Sequence, residues 1–574
     1  MKKPRKQHWY FLFFALLITL SLSLFGCGGG NGTNNPVNDN TGQTVSGVAA
    51  AGAPIIGFAY LKDSNGKTLG PNDIASDGSF SFDVTGLTPP FFLKADGTVG
   101  GSSYDLVSAA VGAGTANINP LTNLAVASAA GVNDPSACYN NPSACNSNIT
   151  QANLDTAIAG MQHMLQPLLT AYNADVNPIS SPYTANNTGL DGVFDVMEVS
   201  LDTSNGSVTF TDKTTGSNIG TATTATMGSN QISAVPSTQT LTDIRGIAAM
   251  LSNFATTVNS KGANLSASDL DPYFATNFGV SNGYDRTQAI EDAVQQFSSL
   301  KQQITNITGL TIIAKNGSGD YEISYTTHMS DGSYFQMDPQ QDEISFWVTK
   351  ENGSWKFTGN GHYSTVWALV HTEREVAVDN SVSTNSGIYL EVDDPGNFGI
   401  QNAVVTGPGL PAGGVQLTLN YHPLVTMNDT TISQIPDNAV YTFAVYNGTG
   451  LVETRTVTVP KRPYMSSELN GIFPTLGGVT SHLLSAANIG GTLTFSYTPA
   501  TAYSTAGLRS KFEFYDNNSN GADFGQQLML NNTSASYATT TPTTWTPTRA
   551  ELELISSDAF GREIWYTWYF GAMP

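Results

Sequence analysis

The chain has 574 residues, with 23 Lys and Arg against 45 Asp and Glu, seven His and three Cys. A formal net charge of −22 argues against nucleic acid or an anionic membrane surface as partner, because both require a positive footprint. The length accommodates about three to five domains at roughly 100–200 residues each. The 56 Gly and only 12% charged residues are the balance of an exported, β-rich chain.

Lys2, Lys3, Arg5 and Lys6 precede an apolar run from Trp9 to Phe25, the pattern of a secretory signal over residues 1–26 and not of a spanning helix. The run closes as Leu24-Phe25-Gly26-Cys27, which resembles the lipobox of bacterial lipoproteins, with Phe25 departing from the usual Ala or Ser. The resemblance implies cleavage before Cys27 and lipidation (palmitate among the acyl chains) of that residue. With Gly28 in place of Asp, it further implies sorting to the outer membrane. Several acyl chains at about 0.8 kcal/mol per buried CH₂ make a stable anchor, where one chain is marginal. Residues 27–44 lack apolar periodicity and read as a flexible tether.

Residues 45–112 carry the turn dipeptides Asn65-Gly66 and Asp77-Gly78 between alternating apolar residues, so short strands are expected. Gly47, Ala53-Pro54-Ile55 and Asp77-Gly78-Ser79-Phe80 resemble the carboxypeptidase regulatory-like (transthyretin-like) β-sandwich, which implies an accessory module without chemistry. Residues 113–238 read as a helical segment with a disulfide loop and a linker. Asn119-Pro120 opens a helix that Gly131 ends. Cys138 and Cys145 are expected to pair as a structural clip in an oxidising compartment. A second helix from Thr150 aligns Leu154, Ile158, Met161, Leu165 and Leu168, with a kink expected at Pro167. Ser180 to Gly192 reads as loop, Val193 to Val199 as a short apolar segment, and Thr214 to Thr238 as a boundary.

Residues 239–372 change pattern. Ile244, Ile247, Leu251, Phe254 and Val258 share one helix face, behind a capping box of Thr240 and Asp243. Ile290, Val294, Phe297 and Ile304 form a second face behind Asp285. Strands follow, the last two joined at Asn352-Gly353. Helices first, then a curved sheet ending in that hairpin, resembles the nuclear transport factor 2-like α+β cone. The resemblance implies an enclosed pocket, and some members are enzymes that move a proton next to a carbonyl or epoxide. Pocket candidates are Tyr273, Asp285, His328 and Asp331, with Asp338 beside them. Asp285 reads more simply as a helix cap and Asp331 with Gly332 as a turn, and no family motif carries a catalytic role onto any of the five.

Residues 373–460 and 461–574 read as two β-sandwiches that loosely resemble fibronectin type III or immunoglobulin-like modules without a Cys-Trp-Cys signature. Asp516, Asn518 and Asn520 stand at positions 1, 3 and 5 of a calcium-loop pattern with Gly521 at 6. Gln527 occupies position 12, where a bidentate Glu is wanted, so a hairpin turn is the competing reading. Gly279 to Gly283 matches Gly-x-Ser-x-Gly without a strand in front of it. His362 and His371 lie nine apart and make no zinc motif, and His163 reads as packed or solvated. Trp565, Tyr566, Trp568 and Tyr569 could stack on sugars, although alternation turns half of such a strand inward.

The expected molecule is therefore multidomain and mainly β: sandwich modules, a helical segment and a central α+β cone. The expected role is binding, adhesion or scaffolding by a lipid-anchored envelope protein, without catalysis and without a cofactor apart from calcium. Its partners are expected to be the membrane, through the lipid, and an envelope or extracellular protein or glycan. The alternative is small-molecule binding, or isomerase- or hydratase-like activity, in the cone.

Overall fold

The computed structural model describes residues 43–298, 303–330, 334–337, 346–419, 421–483, 489–500, 508–516, 521–528, 534–558 and 560–571. Cys27, Asp331, Asp338, Asn518 and Asn520 lie outside the described residues. The fold is mainly β, with sandwich-like modules and a few helices.

The N-terminal strands are β1 (Thr44–Val48), β2 (Ile56–Lys62), β3 (Thr68–Asp73), β4 (Ser79–Asp83), β5 (Phe91–Val99), β6 (Ser102–Ala110) and β7 (Gly114–Thr115). They form two sheets, ordered β4-β1-β7 and β3-β2-β5-β6. Gly66 and Gly78 turn the chain with φ of 84°, the conformation for which glycine carries no Cβ penalty. Val45, Leu61, Phe80, Phe82 and Leu93 fill the space between the sheets. Phe92, Val107 and Ala109 face the other way, into a second core. Packing on both sides explains why β5 is buried along almost its whole length and does not alternate with solvent.

Helix α1 (Pro120–Ala130) starts where Asn119 Oδ1 accepts the amides of Leu121 and Thr122, both at 3.0 Å, and stops at Gly131 in the left-handed region. Cys138 and Cys145 form a disulfide, with Cα atoms 5.3 Å apart, between the short helices α2 (Ser136–Asn140) and α3 (Pro142–Cys145). Helix α4 (Gln151–Ala171) buries the five expected apolar residues and runs on past Pro167. Residues 180–188 are loop as expected, but the end of that stretch and the apolar run after it form helix α5 (Gly189–Val196) leading into strand β8 (Met197–Asp202). With β9 (Ser207–Asp212) and β10 (Ser217–Thr223) it forms a three-stranded meander. The stretch read as a linker is thus packed structure: single anchors, Ile219 and Ile232, are buried among its polar residues. Their isolation in a Thr/Ser-rich run hides them from a pattern search.

The next elements are α6 (Gln239–Lys261), α7 (Ala267–Leu270), β11 (Val280–Ser281), β12 (Tyr284–Asp285) and α8 (Arg286–Ser298). A sheet of β13 (Ile304–Lys315), β14 (Tyr321–Met329), β16 (Phe346–Glu351) and β17 (Ser354–Thr358) follows, and β15 (Tyr334–Met337) also pairs with β14. Asn352 and Gly353, at φ of 52° and 85°, make the expected hairpin turn. Two expectations change here. Ile304 opens β13 instead of extending a helix face. Asp243 caps nothing; it accepts from Gln239 Nε2 (3.1 Å), Tyr321 Oη (3.1 Å) and Lys350 Nζ (3.4 Å), tying α6 to the sheet. One continuous core joins residues from Phe92 to Phe357, so the helical segment and the cone form one body.

The remaining strands are β18 (Thr365–Val376), β19 (Val382–Asp393), β20 (Ile400–Thr406), β21 (Val415–Thr418), β22 (Leu424–Thr426), β23 (Ala439–Asn447) and β24 (Gly450–Val459), with helix α9 (Asp429–Ile432) before β23. Then come β25 (Thr475–Gly477), β26 (Thr492–Thr498), β27 (Arg509–Tyr515), β28 (Gly521–Gln527), β29 (Ser534–Ala538), β30 (Arg549–Ser557) and β31 (Glu563–Phe570). Seven of them make one sheet, ordered β22-β19-β18-β31-β30-β27-β28, in which β18 and β31 pair in parallel. Two small sheets, β21-β20-β23-β24 and β25-β26-β29, accompany it. Their apolar residues join those of the large sheet in two separate cores. A boundary at 372 therefore falls inside β18, and the two expected sandwiches share one sheet across residue 460.

Candidate binding surface

The large sheet has two chemically distinct faces, and strand register assigns every residue to one of them. Val366, Ala368, Val370, Ile388, Leu390 and Val392 face the first small sheet, while Phe512, Phe514, Leu552, Leu554 and Phe570 face the second. The opposite face carries Trp367, His371, Glu373 and Glu375 on β18 and Tyr389 and Glu391 on β19. It continues with Glu563, Trp565 and Tyr569 on β31, Glu551 and Glu553 on β30, and Arg509, Lys511 and Glu513 on β27. Its charged residues His371, Glu391 and Glu553 are buried, while the rings Trp367, Tyr389, Trp565 and Tyr569 stay partly exposed.

Its charges are ordered by one another. His371, 8% exposed, lies 3.4 Å from Glu373 and 3.9 Å from Glu563. Burial opposes its charge, but the two carboxylates outweigh burial and raise His371 to about 9. Glu563 also accepts from Arg509 (3.1 Å) and Trp565 Nε1 (2.9 Å). Against the cost of burial, the nearby His371 and the charge of Arg509 hold Glu563 down at about 2. Glu391 and Glu553 go the other way. Burial raises Glu391 to about 7, and burial together with the Glu551 charge raises Glu553 to about 8. Tyr569 donates to Glu375 at 2.7 Å. At the end of the sheet a groove of about 460 Å³ opens beside Val378, Tyr515, Arg549 and Tyr569. Partly exposed planar rings beside paired acids and bases can stack and hydrogen-bond a ligand laid across the strands.

The cone candidates do not converge. Tyr273 donates to the Asn253 carbonyl (2.9 Å) and pairs with Thr257 (2.7 Å), on the α6 side. Asp285 and Gln288 exchange side-chain and backbone hydrogen bonds at 2.9 and 3.0 Å, so Asp285 is the cap of α8. His328 pairs with Thr308 at 2.7 Å. Alternation along β14 puts it opposite Tyr321, Ile323 and Tyr325, which face the core. The cone interior is occupied by its own rings: Phe254 sits 5.2–5.5 Å from Tyr273, Phe297 and Phe357.

Other motifs resolve into structure. Asn282 and Gly283 form the turn between β11 and β12, so the Gly-x-Ser-x-Gly run is a hairpin and not a nucleophile elbow. Gln527 pairs with Arg509 at the far end of the β27–β28 hairpin from Asp516. Six strand steps of about 3.3 Å separate it from Gly521, so position 12 of a calcium loop cannot fold back to the ions' first ligands. His362 bonds Glu453 at 2.9 Å, and Glu453 also accepts from Ser364, latching the end of the cone to β24. His163 is exposed. Along β31, Trp565 and Tyr569 share the polar face, whereas Tyr566 and Trp568 pack toward the second small sheet.

No family model matches the chain, and no curated protein matches it. Among solved structures, the crystal structure of the chicken CNTN1 FN1-FN3 domains aligns at 10% identity with a TM-score of 0.13, over 44% of this chain and 78% of that one. A tetra-tandem repeat in the extending region of a large adhesion protein aligns at 10% identity with a TM-score of 0.15, over 93% and 99%. Scores this low carry no inference about the present chain.

The polar face was missed in the sequence although its signal is there. Charged residues at every second position, as in Lys511-Phe512-Glu513 and Glu551-Leu552-Glu553, mark strands with one wet face. What sequence spacing conceals is that β18 lies beside β31, which brings His371 to Glu563.

Proposed function

We propose that this protein is a lipid-anchored outer-membrane protein that binds an extracellular or envelope glycan, in an adhesive or scaffolding role and without catalysis. The observation that carries the reading is the polar seven-stranded face on which the partly exposed rings Trp367, Tyr389, Trp565 and Tyr569 stand among paired carboxylates and bases. Rings offer flat apolar surface to sugar faces, and the carboxylates and Arg509 offer acceptors and donors to hydroxyls. The separation of the cone candidates and the filled cone interior favour binding over chemistry there. Anchoring rests on the lipobox resemblance around Cys27, and no helix among the described residues is long and apolar enough to cross a membrane.

Two measurements test the two halves. Glycan-array binding of the full chain should fall at least tenfold in Trp367→Ala/Trp565→Ala, given roughly 1 kcal/mol per ring contact. Glycan binding that the double variant leaves intact, or no glycan bound by the parent chain, rejects the surface. Cys27→Ser should abolish incorporation of labelled palmitate and release the chain from the membrane fraction; continued labelling would reject the anchor.

A further inference from the structure

A second polar cluster is buried where the helical segment meets the N-terminal module and the cone, away from the sheet face. Helix α5 carries Asp191 and Asp195 one turn apart, which places both carboxylates on one side. Both residues are 0% exposed. Asn187 engages the two together: its backbone N donates to Asp191 Oδ2 at 2.7 Å, and its Nδ2 donates to Asp195 Oδ2 at 3.1 Å. The same Nδ2 lies 3.1 Å from the Leu310 carbonyl of β13. Each carboxylate keeps its Oδ1 without a hydrogen-bond partner, and the Tyr183 hydroxyl is likewise buried and unpartnered. The N-terminal module closes in tightly, since a Cβ on Gly52 would meet the Phe194 carbonyl at 3.0 Å and the Asp195 amide at 3.2 Å.

Two buried carboxylates with free oxygens require neutralisation, because uncompensated charge is costly away from water. Lys213 lies near enough to feel both charges, and burial pushes its own pKa down, yet it forms no ion pair with either. We propose that Asp191 and Asp195 bind a calcium ion through their free Oδ1 atoms, with the Tyr183 hydroxyl as a further donor, fastening α5 between the N-terminal module and the cone. An all-oxygen set suits a hard cation over zinc or copper. Among the described residues no group of three or more His, Cys, Asp and Glu could hold a metal, so the third donor of this set is the neutral Tyr183 hydroxyl.

Calcium titration of the full chain, by calorimetry and thermal unfolding after EDTA treatment, tests the site. At pH 8 one ion per chain should bind and raise the unfolding midpoint. Asp191→Asn/Asp195→Asn, which removes charge and keeps volume, should abolish both effects. No binding at millimolar calcium and pH 8 overturns the proposal, as does a midpoint that responds to pH alone, which would assign the pair to a shared proton. Binding that survives the double variant but is lost in Asp516→Asn also overturns it, by moving the ion to the β27–β28 hairpin. Should the double variant fail to fold, Tyr183→Phe removes a single oxygen and should weaken calcium binding several-fold; unchanged affinity overturns the site.

Discussion

His371 and its neighbours show how single residues set the pH response of the large sheet. His371 is raised from 6.5 to about 9, so its contribution to stability is complete below about 6.5 and is lost as pH rises through 9. Glu391 and Glu553, raised from 4.5 to about 7 and about 8, act in the same direction, because the fold keeps protons that the unfolded chain releases. Glu563, held near 2, acts oppositely: its contribution is present above 4.5 and lost toward pH 2. Thermal unfolding should thus show a falling midpoint between pH 6.5 and 9.5. His371→Gln should remove about 3 kcal/mol from that fall in stability, at roughly 1.36 kcal/mol per unit of pKa shift. A midpoint as steep as that of the parent chain would show that His371 does not carry the effect.

At the scale of elements, α1 illustrates how local chemistry and packing reinforce one another. Asn119 is buried, its Oδ1 caps the helix, and its Nδ2 donates to the Pro178 carbonyl at 3.0 Å. Asn119→Ala removes the cap and leaves the Pro178 carbonyl with only the longer bond from Asn117 Nδ2 at 3.4 Å, which together cost roughly 1–3 kcal/mol. Urea unfolding should register this loss, whereas a change under 1 kcal/mol would mean that the cap is redundant. The same local rules identified the start at Thr150, the stop at Gly131 and the turn at Asn352-Gly353. They failed at Asp243, whose spacing from Thr240 mimics a capping box although the β14 and β16 partners Tyr321 and Lys350 claim the carboxylate. They failed again at α5, where eight residues between polar loops carry too little periodicity to separate helix from strand.

At the scale of the whole molecule, the decisive contacts join segments distant in the chain. The parallel pairing of β18 with β31 makes one seven-stranded sheet from two expected sandwiches, and a single core runs from Phe92 to Phe357 through what had read as a linker. Both arrangements bury apolar surface against elements that are remote in sequence, and burial is indifferent to sequence distance. Composition, turn dipeptides, helix caps and two-residue alternation are local properties, so the mainly β character, the N-terminal strands, the disulfide and the order of the cone elements were legible from the amino acids. The polar face and the buried Asp191–Asp195 pair were not. Each depends on which strands become neighbours and which carboxylates lose water, and only the packed chain decides that.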